Sequence, residues 1–385
     1  MRTSSPPAGN KAFRLTEWTT NPSVTDPAAF RSQFPVLEQV SYLNAGTEGP
    51  VPRQAVAAAH ARIDLEAEQG RCGRPYFDSV MELSANARGG YARVLGCGEA
   101  DVALTGSTTD GVNTVLAGLD LRAGDEVITT DEEHPGLLAP LARARRAHGI
   151  TVRVVPFAEL PGEVTRATRL VACSHVSWVS GREMDIAALR ATGVPVLLDA
   201  AQAIGAIPLD VPALGVDFYA ASGQKWLCGP EGSGCLYVRP DRIEELLIPW
   251  PGYGSLSAGE KALDLDPAEG AKRFDHGFPS GLRSAWAMAS MAVFEDAGWE
   301  WVHERAATLA AGLADRLAER GLEVGPRGRT TLVAWRTADA EAEVQRLAAE
   351  RIVVRMIPVH DMVRASVGAW SSEEELERLV ALAAV

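Results

Sequence analysis

The chain is 385 residues long, 46% apolar and 23% charged, with a formal charge of −13. That length allows two or three domains, and the composition excludes collagen-like and low-complexity classes. An acidic chain makes poor contact with a phosphate backbone, so no nucleic-acid partner is expected. No membrane association is expected either, because no apolar run reaches the roughly 18 residues of a span.

Residues 1–20 read as a flexible arm: they are polar, rich in Ser and Pro, and lack the apolar core of a signal peptide. The segment that follows ends in Tyr42-Leu43-Asn44-Ala45-Gly46-Thr47-Glu48-Gly49-Pro50, a short apolar strand running into turn residues. From about 53 to 95 the apolar periodicity is helical, with one interruption around Gly70–Pro75. Between 100 and 240, short apolar runs alternate with helical stretches. Strands are expected at 101–105, 126–130, 152–156, 170–174, 194–198, 217–221 and 235–238, with helices such as 135–147 and 186–192 between them. That alternation predicts an α/β domain with a mostly parallel seven-stranded sheet covered on both faces. Residues 245–283 form a long Gly/Pro/Ser-rich connection. A long helix over roughly 284–319 comes next. Strands near 331–335, 353–356 and 363–367, a helix near 338–350 and a last helix from Ser372 complete a smaller α+β unit.

The five cysteines, Cys72, Cys97, Cys173, Cys228 and Cys235, are odd in number and contain no C-x-x-C pair. A disulfide framework and a thiolate metal site are therefore not expected, and a reducing, cytoplasmic setting is.

In open α/β sheets, ligands sit beyond the carboxyl ends of the strands, so residues just after each strand are the informative ones. Of 37 basic residues only four are lysines, and Lys225 alone lies in apolar, glycine-rich company, within Ser222-Gly223-Gln224-Lys225-Trp226. Burial lowers a lysine pKa and makes an amine able to join an aldehyde. Asp199 ends the run Val194–Leu198. Its carboxylate suits either a helix N-cap or the partner of a protonated pyridine nitrogen. Ser107, Thr108 and Thr109 fall between a strand and a helix, where hydroxyls and backbone N–H groups form an anion site. His134, in Glu132-Glu133-His134-Pro135-Gly136, follows another strand on the same expected edge.

The order of these parts, with the Asp199/Gln202 pair and the Ser-x-x-Lys segment trailing into Gly-Pro-x-Gly-x-Gly, resembles the aminotransferase class V group of fold-type I pyridoxal-phosphate enzymes. That group includes cysteine desulfurases, isopenicillin-N epimerase-like proteins and cystine C–S lyases, and the resemblance covers nearly all of residues 40–380. It implies an N-terminal segment over 21–52 that contributes to the small domain and substrate site. A large coenzyme-binding domain over 53–270, a small domain over 271–385 and a homodimer also follow. By resemblance, Lys225 carries the coenzyme as a Schiff base and moves the α-proton, Asp199 faces the pyridine nitrogen, and Gln202 bonds the phenolic oxygen. His134 stacks on the ring, while Ser107, Thr108, Thr109, Ser222 and Gln224 hold the phosphate, Gln224 replacing a histidine usual in desulfurases. Arg364 and Asn44 are expected on the substrate α-carboxylate. Thr47, Trp178, Tyr253 and Arg355 are candidate walls of the substrate pocket.

Two departures refine this expectation. No cysteine follows Cys235, so the thiol that desulfurases carry in the C-terminal domain is missing. Phe278 stands where a threonine often reaches the partner subunit's phosphate. Trp178 and the Glu-His-Pro-Gly segment tilt the resemblance toward a C–S lyase acting by β-elimination on cystine or a cysteine conjugate. An aminotransferase or an epimerase using the same coenzyme site is the alternative.

Overall fold

The buried apolar runs of the central 140 residues become strands, because each alternates its side chains between two covered faces. The computed structural model describes residues 26–384, so the arm expected over 1–20 lies outside the described residues. Strand β1 (Ser41–Tyr42) is only two residues long. Then come β2 (Val102–Thr105), β3 (Glu126–Thr130), β4 (Thr151–Val155), β5 (Thr168–Ser174), β6 (Val196–Asp199), β7 (Phe218–Ser222) and β8 (Gly234–Val238). These seven form one sheet in the order β2-β8-β7-β6-β5-β3-β4. Strand β8 is antiparallel to both of its neighbours, and all the other pairings are parallel.

The period-two alternation sorts the core. Val127, Leu170, Ala172, Leu197, Phe218 and Ala220 face one layer, with Leu137 and Leu141 of the helix Pro135–His148. Their chain neighbours Ile128, Val171, Cys173, Leu198, Tyr219 and Ala221 face the opposite layer with Met291, Phe294 and Val302. The helix Gly281–Ala297 thus packs into the core of the large sheet and lies against the helices Arg53–Gln69 and Gly73–Leu95.

Two expectations are corrected. The long helix over 284–319 is two helices, Gly281–Ala297 and Trp299–Glu319, broken where Gly298 takes φ +85°, a left-handed value that glycine adopts at little cost. The strand near 353–356 is also two pieces. Strand β9 (Leu332–Arg336) precedes β10 (Ile352–Val353), which pairs parallel with β1, and β11 (Arg355–Ile357), which pairs antiparallel with β12 (Met362–Ser366). Strand β12 also pairs antiparallel with β9. Pairing of Ser41 with Ile352 therefore ties the N-terminal segment to the C-terminal unit. Among the described residues, no helix is long and apolar enough to cross a membrane.

A buried ion pair fixes the edge of the sheet nearest the site. Arg88 Nη2 lies 2.6 Å from Asp275 Oδ2, and Arg88 Nη1 donates to the carbonyl of Val102. Asp275 Oδ1 accepts the N–H of Leu104 at 2.8 Å. Removing the cation strands a carboxylate already withdrawn from water. Arg88→Ala is expected to lose about 3–5 kcal/mol in urea unfolding. Arg93→Ala, which breaks a more exposed pair with Glu295, should cost under about 1 kcal/mol.

Candidate active site

A cavity of about 260 Å³ opens beyond the carboxyl ends of the parallel strands. It is lined by Ser107, Thr108, Thr109, His134, Trp178, Asp199, Gln202, Ser222, Gln224 and Lys225. Thr47 and the arginines Arg355 and Arg364 complete that wall from the N-terminal segment and the small domain. The structure therefore gathers nearly every residue singled out in the sequence. Asn44 is not among the lining residues. Its Oδ1 accepts the hydroxyl of Thr47 at 2.8 Å, so it holds Thr47 in place from behind. Tyr253 is also absent from this wall, being 62% exposed and packed on Phe278.

Lys225 follows β7 in a tight turn. Cys228 N–H closes that turn on the Lys225 carbonyl at 3.1 Å. Cys228 itself takes φ +54°, costly for a residue with a side chain, and its carbonyl is pinned by Trp286 Nε1 and Ser290 Oγ. Gly49 crosses this turn so closely that a Cβ there would lie 2.1 Å from the Lys225 carbonyl oxygen, and its N–H donates to Gln224 O at 2.8 Å. Enclosure by protein pushes the Lys225 ammonium down to about 8; Asp199 opposes the shift, and Arg364 and Arg355 add to it.

Asp199 ends β6 and is buried. One oxygen accepts Ala201 N–H at 2.9 Å in a turn; no helix begins there, so the helix-cap alternative is not met, and Oδ2 has no hydrogen-bond partner among the described residues. Burial raises its pKa, and the charge of Lys225 works against that rise. Gln202 is held by donating to Gly46 O at 2.8 Å and accepting from Trp226 Nε1 at 3.0 Å, which leaves one amide hydrogen for a ligand.

The anion end is built at the helix Thr108–Gly118. Ser107 Oγ caps it by accepting Asp110 N–H at 3.1 Å, so Ser107 offers backbone rather than hydroxyl. Thr108 and Ser222 hydroxyls meet at 2.6 Å, joining this helix start to the end of β7. His134 caps the helix Pro135–His148, its Nδ1 accepting Gly136 N–H at 3.0 Å. The neutral ring therefore carries its proton on Nε2. Partial burial, then the charges of Lys225, Arg364 and Arg355, push it down to about 4.

Three features escaped the sequence. Glu133 is buried directly before His134, accepting from Thr130 Oγ1 at 2.6 Å and from the Ser174 N–H and hydroxyl. Desolvation carries its carboxyl up to about 7. It anchors the His134 turn to β5; a buried polar residue beside a strand end was the one available signal. Glu48 lines the cavity. Lastly, Arg355 and Arg364 stand directly opposite each other across β11 and β12. Like charges so placed repel, and no carboxylate bonds to either side chain among the described residues. Arg364 donates to the Trp178 carbonyl at 2.5 Å, but its buried Nε has no partner, and the same is true of Gln224 Oε1 and Ser366 Oγ.

Residues 42–379 match the family model for aminotransferase class V. The chain is 31% identical to a cysteine desulfurase of Cronobacter sakazakii over 91% of its own length and 96% of the relative's. It is 34% identical to isopenicillin N epimerase of Streptomyces clavuligerus over 58% of this chain and 60% of that one. Among solved structures, a lysine-to-alanine variant of C-DES, with glycine covalently linked to its PLP cofactor, superposes with a TM-score of 0.86. That match is 30% identical and covers 91% of this chain and 98% of the other. C-DES in complex with its product cysteine persulfide, described as a cystine C–S lyase, superposes with a TM-score of 0.85.

Because the folded His134 pKa lies below the ordinary 6.5, the unfolded chain binds more protons between about 4 and 6.5. The wild type should therefore lose stability relative to His134→Asn as pH falls through that window, and match its pH dependence above 6.5. Urea titrations at several pH values measure the difference. Asparagine retains a side-chain acceptor for the helix cap.

Proposed function

Starting from a chain that belongs to the aminotransferase class V family and is a pyridoxal-phosphate-dependent enzyme, we propose that it is a C–S lyase. Its reaction is the β-elimination of cystine or a cysteine conjugate. The residues of the cavity fit the coenzyme. A free Asp199 oxygen suits a pyridinium nitrogen, the spare Gln202 amide hydrogen suits a phenolic oxygen, and Lys225 supplies an amine already lowered toward neutrality. The N–H groups and hydroxyls around Thr108, Thr109 and Ser222 suit a phosphate. When bound, the coenzyme supplies an electron sink for a carbanion at the substrate α-carbon.

The protein's own residues do the rest. Arg364 takes the substrate α-carboxylate through its unsatisfied guanidinium edge, a bidentate geometry that fixes the α-carbon over Lys225. Lys225 Nζ, whose proton affinity burial lowers to about 8, accepts the α-proton. Asp199, whose charged form Lys225 favours against the effect of burial, would keep a ring nitrogen placed opposite it protonated. His134 lines the cavity as a neutral ring, so it adds no charge to the substrate. Glu133 holds it there. With cystine and one water the products are pyruvate, ammonia and the persulfide of cysteine.

One observation carries elimination over desulfuration: the cavity has no thiol. Among the described residues Cys173, Cys228 and Cys235 are buried, with desolvation driving their thiols well above the ordinary value, and none of the five cysteines lines the site. A thiol held in that state is inert as a nucleophile. The paired Arg355 and Arg364 add support, because a substrate with a carboxylate at each end relieves their repulsion. We also propose a homodimer, in which the exposed, mutually packed Phe77, Tyr253 and Phe278 are covered.

Purified enzyme given cystine is expected to release pyruvate with no keto-acid acceptor present, and Lys225→Ala to lower that rate about 10²–10⁴-fold. Turnover only with an acceptor would mark an aminotransferase. Exchange and inversion of the α-hydrogen without pyruvate would mark an epimerase. Alanine accumulating in place of pyruvate would restore the desulfurase reading.

A further inference from the structure

Apart from Asp199, the cavity holds one carboxylate, that of Glu48. Its backbone is fixed at several points. Tyr42 Oη donates to the Glu48 carbonyl at 2.9 Å, Glu48 N–H donates to Asn44 O at 3.3 Å, and the next residue, Gly49, is clamped on the Lys225 turn. The side chain, by contrast, has no ion pair or hydrogen bond among the described residues, although it is half-buried and shares the cavity wall with Lys225, Arg355 and Arg364. A partly desolvated carboxylate without a partner is unfavourable, and burial together with the nearby Glu231 moves it up to about 7. Two guanidiniums and one unspent carboxylate therefore converge on a single small space. Their charges mirror a molecule that carries, beyond its reacting amino group, two carboxylates and one ammonium.

We propose that Glu48 is a specificity-determining residue that receives the distal ammonium of a substrate with an amino-acid group at each end, while Arg364 and Arg355 receive its two carboxylates. The inference rests on the C–S lyase reading for the placement of the α-carboxylate on Arg364, and it narrows the substrate from any cysteine conjugate to a diamino dicarboxylate such as cystine. Position 48 would then reject conjugates whose far end lacks an amine, because the carboxylate would be covered with nothing to pair it.

The test uses coenzyme-loaded wild-type enzyme and two probes that contain no sulfur and cannot undergo elimination. Diaminosuberate replaces the disulfide of cystine by two methylenes; α-aminosuberate is the same molecule without the distal amine. Calorimetry is expected to give diaminosuberate about tenfold tighter binding or more, the size of one charge-assisted contact. Glu48→Gln should bring the two within about twofold of each other, weakening diaminosuberate and not weakening α-aminosuberate, which no longer covers an unpaired carboxylate. Equal affinities in the wild type, a preference that survives Glu48→Gln, or binding of neither probe overturns the proposal. So does a Glu48→Gln protein that loses α-aminosuberate as well, since that marks a structural role. An enzyme that prefers diaminosuberate yet makes no pyruvate from cystine keeps this inference and discards the lyase reading.

Discussion

The site depends on keeping one amine out of water. Lys225 sits where a strand end, a strained turn and a crossing glycine enclose it, and the enclosure lowers its proton affinity to about 8. Cys228 accepts a left-handed backbone to close the turn, two donors from the helix Gly281–Ala297 hold its carbonyl, and Gly49 has room for no side chain at all. Strain of this kind persists only where the surroundings over-determine it. Here those surroundings are a helix of the large core on one side and the N-terminal segment on the other.

Electrostatics divides the cavity into two ends. At the sheet end the acid is Asp199, which lies close enough to the buried Glu133 behind the wall to raise it, while Lys225 favours the charged form of Asp199. Toward the small domain, two arginines stand face to face on adjacent strands with no carboxylate bonded to either side chain among the described residues. The first end suits a cationic ring nitrogen and the second suits anions. A substrate amino acid bridging them satisfies both ends.

Much of this was legible in the chain itself. The seven sheet strands follow the apolar runs to within about two residues because buried parallel strands need unbroken apolar sequence, and turn residues punctuate it. Lys225, Asp199, His134 and the Thr108–Thr109 pair could be found because ligand sites lie just past strand ends, a rule that converts local sequence into a place in the fold. The two misjudged segments have local causes. Gly298 breaks a helix whose apolar periodicity continues on both sides of it, and Val354 lets one apolar run serve two different sheets.

The sequence alone determined the fold class and the family, since both are written in short motifs governed by backbone geometry. Tertiary structure decided which distant residues share the cavity. Asn44 proved to stand behind Thr47 and Tyr253 to lie on an exposed face, while Glu48, Glu133 and the Arg355–Arg364 pairing came into view. Glu48 and Lys225 are separated by most of the large domain along the chain, and only the packing of Gly49 onto the lysine turn brings them together. Contacts of that kind depend on the closure of the whole fold, and no local pattern of residues encodes them.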